Sequence, residues 1–419
     1  MQPSDLRLRL VVPGNVRHNS GGNVYNAALA RELSALGAAV QTCPLDGDWP
    51  GGSPADRRRL AALLHDSGDA GGSGDPGGTG RAGDCSGDTG PENSGADNRI
   101  TLVDGLLACG APEELAAAAA AGRPAWILLH MPLGGPGLEG AGLERRALRE
   151  AAGVICTSRS AAAGIRARHG LEVVTVALPG TEPAPLARGS EPPHLLAVAA
   201  LLPNKDQSLL LAALARLTGL PWTASLIGSD SADPAYAAQL RDTAALLGLQ
   251  DRVSIPGELR GEALEAEWAA ADLSLLISRA ETYGLVVTES IARGIPVVVR
   301  AGTGAVEALA AGSAPRQKLA IPPGTAAAEA TALPGTAVAL GTDPSALAEV
   351  LRRWLTEPAL RARWRAGAAA ARHRLPGWET TARTVFAALA TAPRVPRPRD
   401  NPPELPAADD SPAAQAVGQ

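Results

Sequence analysis

Two glutamates stand eight positions apart, Glu281 and Glu289, in the stretch Ser278-Arg279-Ala280-Glu281-Thr282-Tyr283-Gly284-Leu285-Val286-Val287-Thr288-Glu289. The stretch follows an apolar run, Leu273 to Ile277, and reads as a strand end opening into a helix. With Glu281 ahead of the helix and Glu289 inside it, both carboxylates can face one ligand at different depths. A carboxylate accepts paired hydrogen bonds, which suits the vicinal hydroxyls of a ribose or hexose. A helix start near Gly284 offers N–H groups to a diphosphate. Spacing alone leaves open two solvated glutamates flanking an ordinary turn, because Glu pairs are common.

Other residues sit where strands end. Lys205 follows the apolar run Leu195-Leu196-Ala197-Val198, where an ammonium can pair with a diphosphate and stabilise leaving charge; a plain surface lysine is the alternative. Gly21-Gly22 lies in a predicted loop, Gly14 to Asn23, and lets backbone approach a ligand closely. Gly302-Thr303-Gly304 reads as a matching wall or as a plain turn. His130 ends a predicted strand, and a lone histidine is often structural. Asp104 is read as structural. Asp46-Gly47-Asp48 fits an Asp–x–Asp cation motif, but it comes early, after a second strand, and reads as a polar turn.

The elements that must position these residues alternate. Strands are predicted at Leu6–Val12, Ala38–Cys43, Ile100–Val103, Ala125–Leu129, Gly153–Thr157 and Glu172–Val176, with helices at Val24–Leu36, Pro112–Ala121, Leu143–Ala152 and Ser160–His169. Pro179 to Pro193 holds five prolines and reads as a linker. A second alternating series follows, with strands at Leu195–Val198, Thr223–Ile227, Val253–Ile255, Leu273–Ile277 and Pro296–Val299. Its helices are Gln207–Leu217, Tyr236–Leu247, Glu262–Ala270, Thr288–Arg293, Ser345–Leu355 and Pro358–Arg374, and Trp378–Thr391 is the last helix. Two such series imply two α/β units and a cleft between them.

The 419 residues exceed one ordinary core, and 45% apolar with 3% aromatic content favours helices on parallel strands. The net charge of −5 is concentrated in residues 66–97, which hold seven acids against one arginine and eleven glycines. That segment cannot bury enough apolar area to offset its ordering, and reads as a disordered surface insertion. The remainder is nearly neutral, which gives no footprint for nucleic acid. Cys43, Cys85, Cys109 and Cys156 form no CxxC pair and read as reduced structural thiols. No signal peptide and no 18-residue apolar span is predicted. The expected location is the cytoplasm, with docking at the inner membrane surface as a variant.

The Glu281–Glu289 stretch resembles the Glu–seven residues–Glu signature of retaining family-four (group 1) glycosyltransferases. The resemblance extends over most of residues 6–392, outside the insertion. It includes Gly21-Gly22-Asn23, Asp104-Gly105-Leu106, His130-Met131-Pro132, Pro203-Asn204-Lys205-Asp206, Asp251-Arg252-Val253, Ala271-Asp272 and Ala292-Arg293-Gly294-Ile295-Pro296-Val297-Val298. It implies an α/β GT-B fold, two Rossmann-like domains facing a central cleft. Residues 1–180 would be the acceptor domain, with 67–97 as its insertion, and 195–375 the nucleotide-sugar donor domain. Residues 376–392 would be a helix returning to the first domain, and 393–419 a disordered tail.

The resemblance implies a nucleotide-sugar donor, a sugar, lipid or small-molecule acceptor, retention, no cofactor and no metal. It assigns catalysis to Lys205, Glu281 and His130. Donor binding falls to Gly21, Gly22, Lys205, Arg279, Glu281, Thr282, Tyr283, Gly284, Leu285 and Glu289, with Glu281 on the sugar and Glu289 on the ribose. The family's phosphate-binding arginine, five residues before the lysine, is replaced by Ala200; Arg279, Arg17 or Arg300 are candidates to compensate. A nucleotide-sugar epimerase of the same architecture and a non-catalytic nucleotide-sugar binder are alternatives. A dinucleotide oxidoreductase is disfavoured, since no GxGxxG opens either domain.

Replacing residues 67–97 by a short Gly-Ser linker is expected to leave kinetics nearly intact and to change stability by about 1 kcal/mol or less, because loop-closure entropy varies slowly with length. A large rise in acceptor KM with unchanged folding would show that the segment acts on the acceptor.

Overall fold

A computed structural model describes residues 1–15, 20–66, 99–133, 140–171, 174–313 and 333–391. Arg17, Cys85, the 67–97 insertion, the start of the strand expected at 172–176 and the 393–419 tail therefore lie outside the described residues. The first unit runs β1 (Arg7–Pro13), α1 (Gly21–Ala35), β2 (Ala39–Leu45), α2 (Pro54–His65), β3 (Arg99–Asp104), α3 (Gly105–Ala108) and α4 (Pro112–Ala120). It continues through β4 (Trp126–Leu129), α5 (Gly140–Glu150), β5 (Gly153–Cys156), α6 (Arg159–His169) and β6 (Thr175–Val176). Its six strands pair in parallel in the order β2-β1-β3-β4-β5-β6.

The second unit runs β7 (His194–Val198), α7 (Gln207–Leu214), β8 (Thr223–Ile227), α8 (Pro234–Leu246), β9 (Val253–Gly257), α9 (Gly261–Ala270) and β10 (Leu273–Leu276). Then come α10 (Leu285–Ala292), β11 (Val297–Arg300), α11 (Ala305–Leu309), β12 (Gly335–Val338), α12 (Ser345–Thr356) and α13 (Pro358–Ala371). Its order is β12-β11-β10-β7-β8-β9, again all parallel. This is the α/β GT-B fold of two Rossmann-like units.

Parallel strands need crossovers that cover both sheet faces, so the inner strands are mostly apolar. All four residues of β4, Trp-Ile-Leu-Leu, are buried, as are Val297, Val298 and Val299 of β11. In each sheet the first strand in sequence lies inside, and the connections wind away from it in both directions. The switch points fall between β1 and β3 and between β7 and β10, where a crevice opens at the carboxyl ends of the strands.

Several elements differ from the sequence reading, among them helices α2, α3 and α11, which it does not include. Helix α1 begins at Gly21 rather than at Val24, because the Ser20 hydroxyl accepts from the Asn23 amide at 3.2 Å and caps the helix ahead of the glycines. Helix α10 begins at Leu285 rather than at Thr288. Strand β12, which the sequence pattern does not announce, adds the edge beyond β11; Gly335 has φ +137 and any Cβ there would meet the Val297 carbonyl oxygen at 1.9 Å. Among the described residues no helix is long and apolar enough to cross a membrane.

The last helix, α14 (Trp378–Thr391), lies on the first unit. Trp378, Ala382, Val385 and Leu389 share a core with Leu29 and Leu33 of α1, and the Thr381 hydroxyl donates to the Leu178 carbonyl at 2.7 Å. Trp378 meets the Tyr25 ring edge-on at 5.4 Å. Trp378→Ala is expected to cost about 3–5 kcal/mol, read by urea denaturation. A loss below about 1 kcal/mol would mean that α14 is not held by this contact.

Candidate active site

Both switch points deliver the sequence-selected residues to strand ends. In the second unit Lys205 follows β7 and Glu281 follows β10, its neighbour in the sheet. Their side chains meet, with Lys205 Nζ donating to Glu281 Oε2 at 3.0 Å, and both are largely buried. The turn carrying Lys205 is held by Asp206, whose φ of +59 places it in the left-handed region that asparagine and aspartate tolerate best. The Asp206 carboxylate is buried and accepts from Arg279 Nη2 at 2.9 Å and from Arg300 Nη2. The Arg279 amide donates to the Asn204 carbonyl at 2.8 Å. The Lys205 turn, the Glu281 loop and the end of β11 are thereby tied together.

These contacts separate the candidates for the cation missing at Ala200. Arg300 is buried and donates to the Ile277 carbonyl at 2.9 Å and the Leu340 carbonyl at 2.6 Å as well as to Asp206. Its donors serve the fold, which corrects its candidacy as a phosphate clamp. The Arg279 side chain is 62% exposed, and Asp206 fixes it by one nitrogen.

Gly284 has φ +90 and starts α10; a Cβ there would meet Leu276 at 2.6 Å. In the first turn of α10 the Val287 amide donates back to the Gly284 carbonyl at 3.0 Å, and the Leu285 and Val286 amides ahead of it lie at the positive end of the helix. Thr282 is bracketed by the turn at Gly302-Thr303-Gly304: the Gly304 amide donates to the Glu281 carbonyl at 2.7 Å, and a Cβ on Gly304 would meet the Thr282 carbonyl at 1.9 Å. Tyr283 departs from expectation. Its ring is buried among Val287, Ile291 and Leu309, so its side chain serves the core rather than an open donor surface. Leu285 is partly buried between the two units' cores.

Glu289 lies inside α10, and its carboxylate makes no hydrogen bond or ion pair among the described residues. Burial pushes its carboxyl up; Arg293 opposes this and Glu265 adds to it. Arg293 is itself engaged, with Glu265 at 2.7 Å and the Trp268 ring 4.8 Å away.

The first unit supplies the opposite wall. Gly21 lies against α10, its Cβ position 3.5 Å from Leu285 Cδ1, and Gly22 lies against His130, its Cβ position 3.2 Å from the ring. His130 Nε2 is 2.9 Å from Asn26 Oδ1 and 3.3 Å from Asp104 Oδ2. Both are acceptors, since Asn26 Nδ2 donates to Asp104 at 2.8 Å, so the His130 proton belongs on Nε2. Burial would push the Asp104 carboxyl up, but attraction to His130 and hydrogen bonds from His130, Asn26 and the Leu106 amide hold it below its ordinary range. Tyr25 packs edge-on to His130 at 5.2 Å. Sequence reading missed Tyr25 and Asn26. Their signal was a polar pair on the apolar face of α1, one turn past the glycines.

Asp46-Gly47-Asp48 forms a polar turn, its carbonyls accepting from Arg59, Asn15 and the Gly52 amide at 2.6, 3.0 and 2.9 Å. Among the described residues no group of three or more His, Cys, Asp or Glu side chains is placed to hold a metal ion.

Glu289 gives a sign-specific expectation. Its folded pKa lies above the ordinary 4.5, so the folded chain holds this proton more tightly than the unfolded chain. Stability from this group therefore falls as pH rises through 4.5 toward the folded value. In the unliganded protein Glu289→Gln is expected to raise stability at neutral pH and to change little below about pH 4. Denaturant titrations at both pH values check this; destabilisation at neutral pH would mean that the carboxylate is already paired.

Comparison with known proteins follows these features. The family model described as Glycosyl transferases group 1 matches residues 181–371, the span that holds Lys205, Glu281 and Glu289. Mannosylfructose-phosphate synthase of Agrobacterium fabrum is 32% identical over 130 residues; the alignment covers 30% of this chain and 29% of that protein. Sucrose-phosphate synthase from Thermosynechococcus elongatus superposes with a TM-score of 0.65 at 20% identity, over 91% of this chain and all of that one. Anabaena Alr3699/HepE in complex with UDP gives 0.60 at 18% identity, over 92% and 99%. The chain thus has the GT-B fold from end to end of its two sheets, and its second unit carries the group 1 glycosyl transferase pattern.

Proposed function

We propose that this chain transfers a hexosyl group from a nucleoside diphosphate sugar to a hydroxyl-bearing acceptor, with retention and without a metal ion. The observation that carries the reading is the Lys205–Glu281 pair, 3.0 Å long, at the crevice of the second sheet. Without a ligand the two charges compensate each other. A bound donor separates their duties: sugar hydroxyls take Glu281, and the diphosphate takes Lys205, Arg279 and the first turn of α10. Glu289, already costly to hold charged and unpartnered, accepts from the ribose hydroxyls. His130, fixed through Asn26 and Asp104, faces the sugar from the first unit.

In the transfer step the bond from the anomeric carbon to the diphosphate oxygen breaks. The acceptor oxygen bonds to the same face, and its proton passes to the departing diphosphate. Lys205 stabilises the charge that develops there. The group 1 match over residues 181–371 supports the donor side. The name of the Agrobacterium relative supports including hexose monophosphates among the acceptors tested.

A thermal-shift panel of nucleotide sugars identifies the donor, and initial rates with candidate acceptors then test transfer. Lys205→Ala is expected to lower kcat by about 10²-fold or more, as loss of a charge-stabilising group does, with little effect on binding of the free nucleoside. An unaltered kcat would move the phosphate role elsewhere. Activity is expected to survive EDTA, and complete, Mg²⁺-reversible loss would overturn the metal-free mechanism. Donor breakdown at full rate with no acceptor present would overturn transfer itself.

A further inference from the structure

Glu307 lies outside every motif considered above, yet its carboxylate hydrogen-bonds across to the first unit. It sits on α11, three residues after Gly304, whose amide holds the Glu281 carbonyl. Its carboxylate reaches the N-terminus of α6 in the first unit. There Oε2 accepts from the Arg159 amide at 3.0 Å and the Ser160 amide at 3.3 Å, and Oε1 accepts from the Arg159 guanidinium at 2.9 Å. Helix α6 already has its own cap, the Ser158 hydroxyl, which serves the Ala161 amide at 2.9 Å. Glu307 takes the two first-turn amides that the helix cannot satisfy itself, at the end where its dipole favours an anion.

The receiving end of α6 is joined to the His130 segment. Thr157, immediately before the cap, donates its hydroxyl to the His130 carbonyl at 3.3 Å. At the far end of α6, His169 Nε2 lies 2.5 Å from the fully buried Glu144, whose other oxygen accepts from the Leu133 amide. Helix α6 is therefore pinned at both ends to the chain that runs from His130 to Leu133. On the donor side, the buried Tyr283 hydroxyl has no hydrogen-bond partner among the described residues and feels Glu307 and Arg159. The Glu281 loop, Glu307, α6 and His130 form one continuous set of contacts.

We propose that Glu307 is a positioning residue: by latching α11 to the N-terminus of α6 it sets the spacing between the Glu281 loop and His130, the two walls between which the sugar is transferred. The role in transfer rests on the function proposed above, whereas the latch itself is a property of the fold.

Hydrogen exchange resolved at the Arg159 and Ser160 amides tests the latch without any assay of activity. First-turn amides of an ordinary helix exchange freely, so protection at these two positions in the wild type, lost in Glu307→Gln, is the expected result. Free exchange in the wild type, or protection equal in both proteins, would overturn the latch. Arg159→Ala, which leaves Glu307 in place, gives a second variant, and the two substitutions combined are expected to be no worse than Glu307→Gln alone. Full additivity of the two would overturn their coupling.

Kinetics then test the positioning role. Glu307→Gln is expected to lower kcat about 10-fold or more, the range for losing charged hydrogen bonds, while nucleotide affinity changes less than about 2-fold. Equal losses in affinity and turnover would reduce Glu307 to a structural support and overturn the positioning role. If the wild type transfers no sugar, the functional reading fails, and the exchange measurement still decides the latch.

Discussion

A parallel sheet sends the carboxyl end of every strand to the same edge, and its crossovers must pack on one face or the other. Where successive crossovers leave in opposite directions, neither covers the gap. The two sheets of this chain each have one such point, between β1 and β3 and between β7 and β10. Everything chemical in the molecule follows from that constraint. Lys205 and Glu281 are 76 residues apart in sequence and 3.0 Å apart in space because the strands ahead of them are neighbours at the second gap. Gly21 follows β1, Asp104 ends β3 and His130 follows β4, at and beside the first gap, and Gly21 places its helix against Leu285 across the cleft.

The charges brought into these gaps are compensated with one exception. Asp206 lies between two arginines, Asp104 receives Asn26, His130 and a backbone amide, and Glu144 receives His169, Arg168 and another amide. A buried carboxylate with that many donors has its polar atoms satisfied and is held in one orientation. Each of the three is joined to a chain segment that carries a site residue: Asp206 follows Lys205, Asp104 accepts from Asn26 and lies 3.3 Å from His130, and Glu144 holds the Leu133 amide three residues past His130. Glu289 is the exception, with a carboxyl pushed up by burial and no partner among the described residues.

Backbone approach is as important as charge. Gly304 and Gly335 have neighbouring backbone atoms closer than 2 Å to where a Cβ would be, and Gly284 combines a positive φ with a leucine side chain in that space. These positions admit only glycine for steric reasons, and they hold the Glu281 loop, the turn behind it and the sheet edge.

Periodicity and punctuation settled much of this protein before any coordinates. Runs such as Leu273 to Ile277 and Pro296 to Val299 can only be buried strands, and their alternation with helical repeats forces two parallel α/β units. The same pattern put Glu281 ahead of a helix and Glu289 inside it. Short or atypical elements escaped: β12 has four residues and an opening glycine, and the first turn of α1 hides two glycines behind a Ser20 cap whose signature was present. Which of Arg279 and Arg300 keeps an exposed guanidinium could not be read from sequence, because a guanidinium's availability depends on where Asp206 and the carbonyls of Ile277 and Leu340 lie in space. Glu307 was equally silent, an ordinary acid on a five-residue helix. Local order depends on residues within a few positions of one another and is written in sequence. Partners 76 or 148 residues apart are chosen by sheet order and by the meeting of two units, and only the tertiary structure decides those.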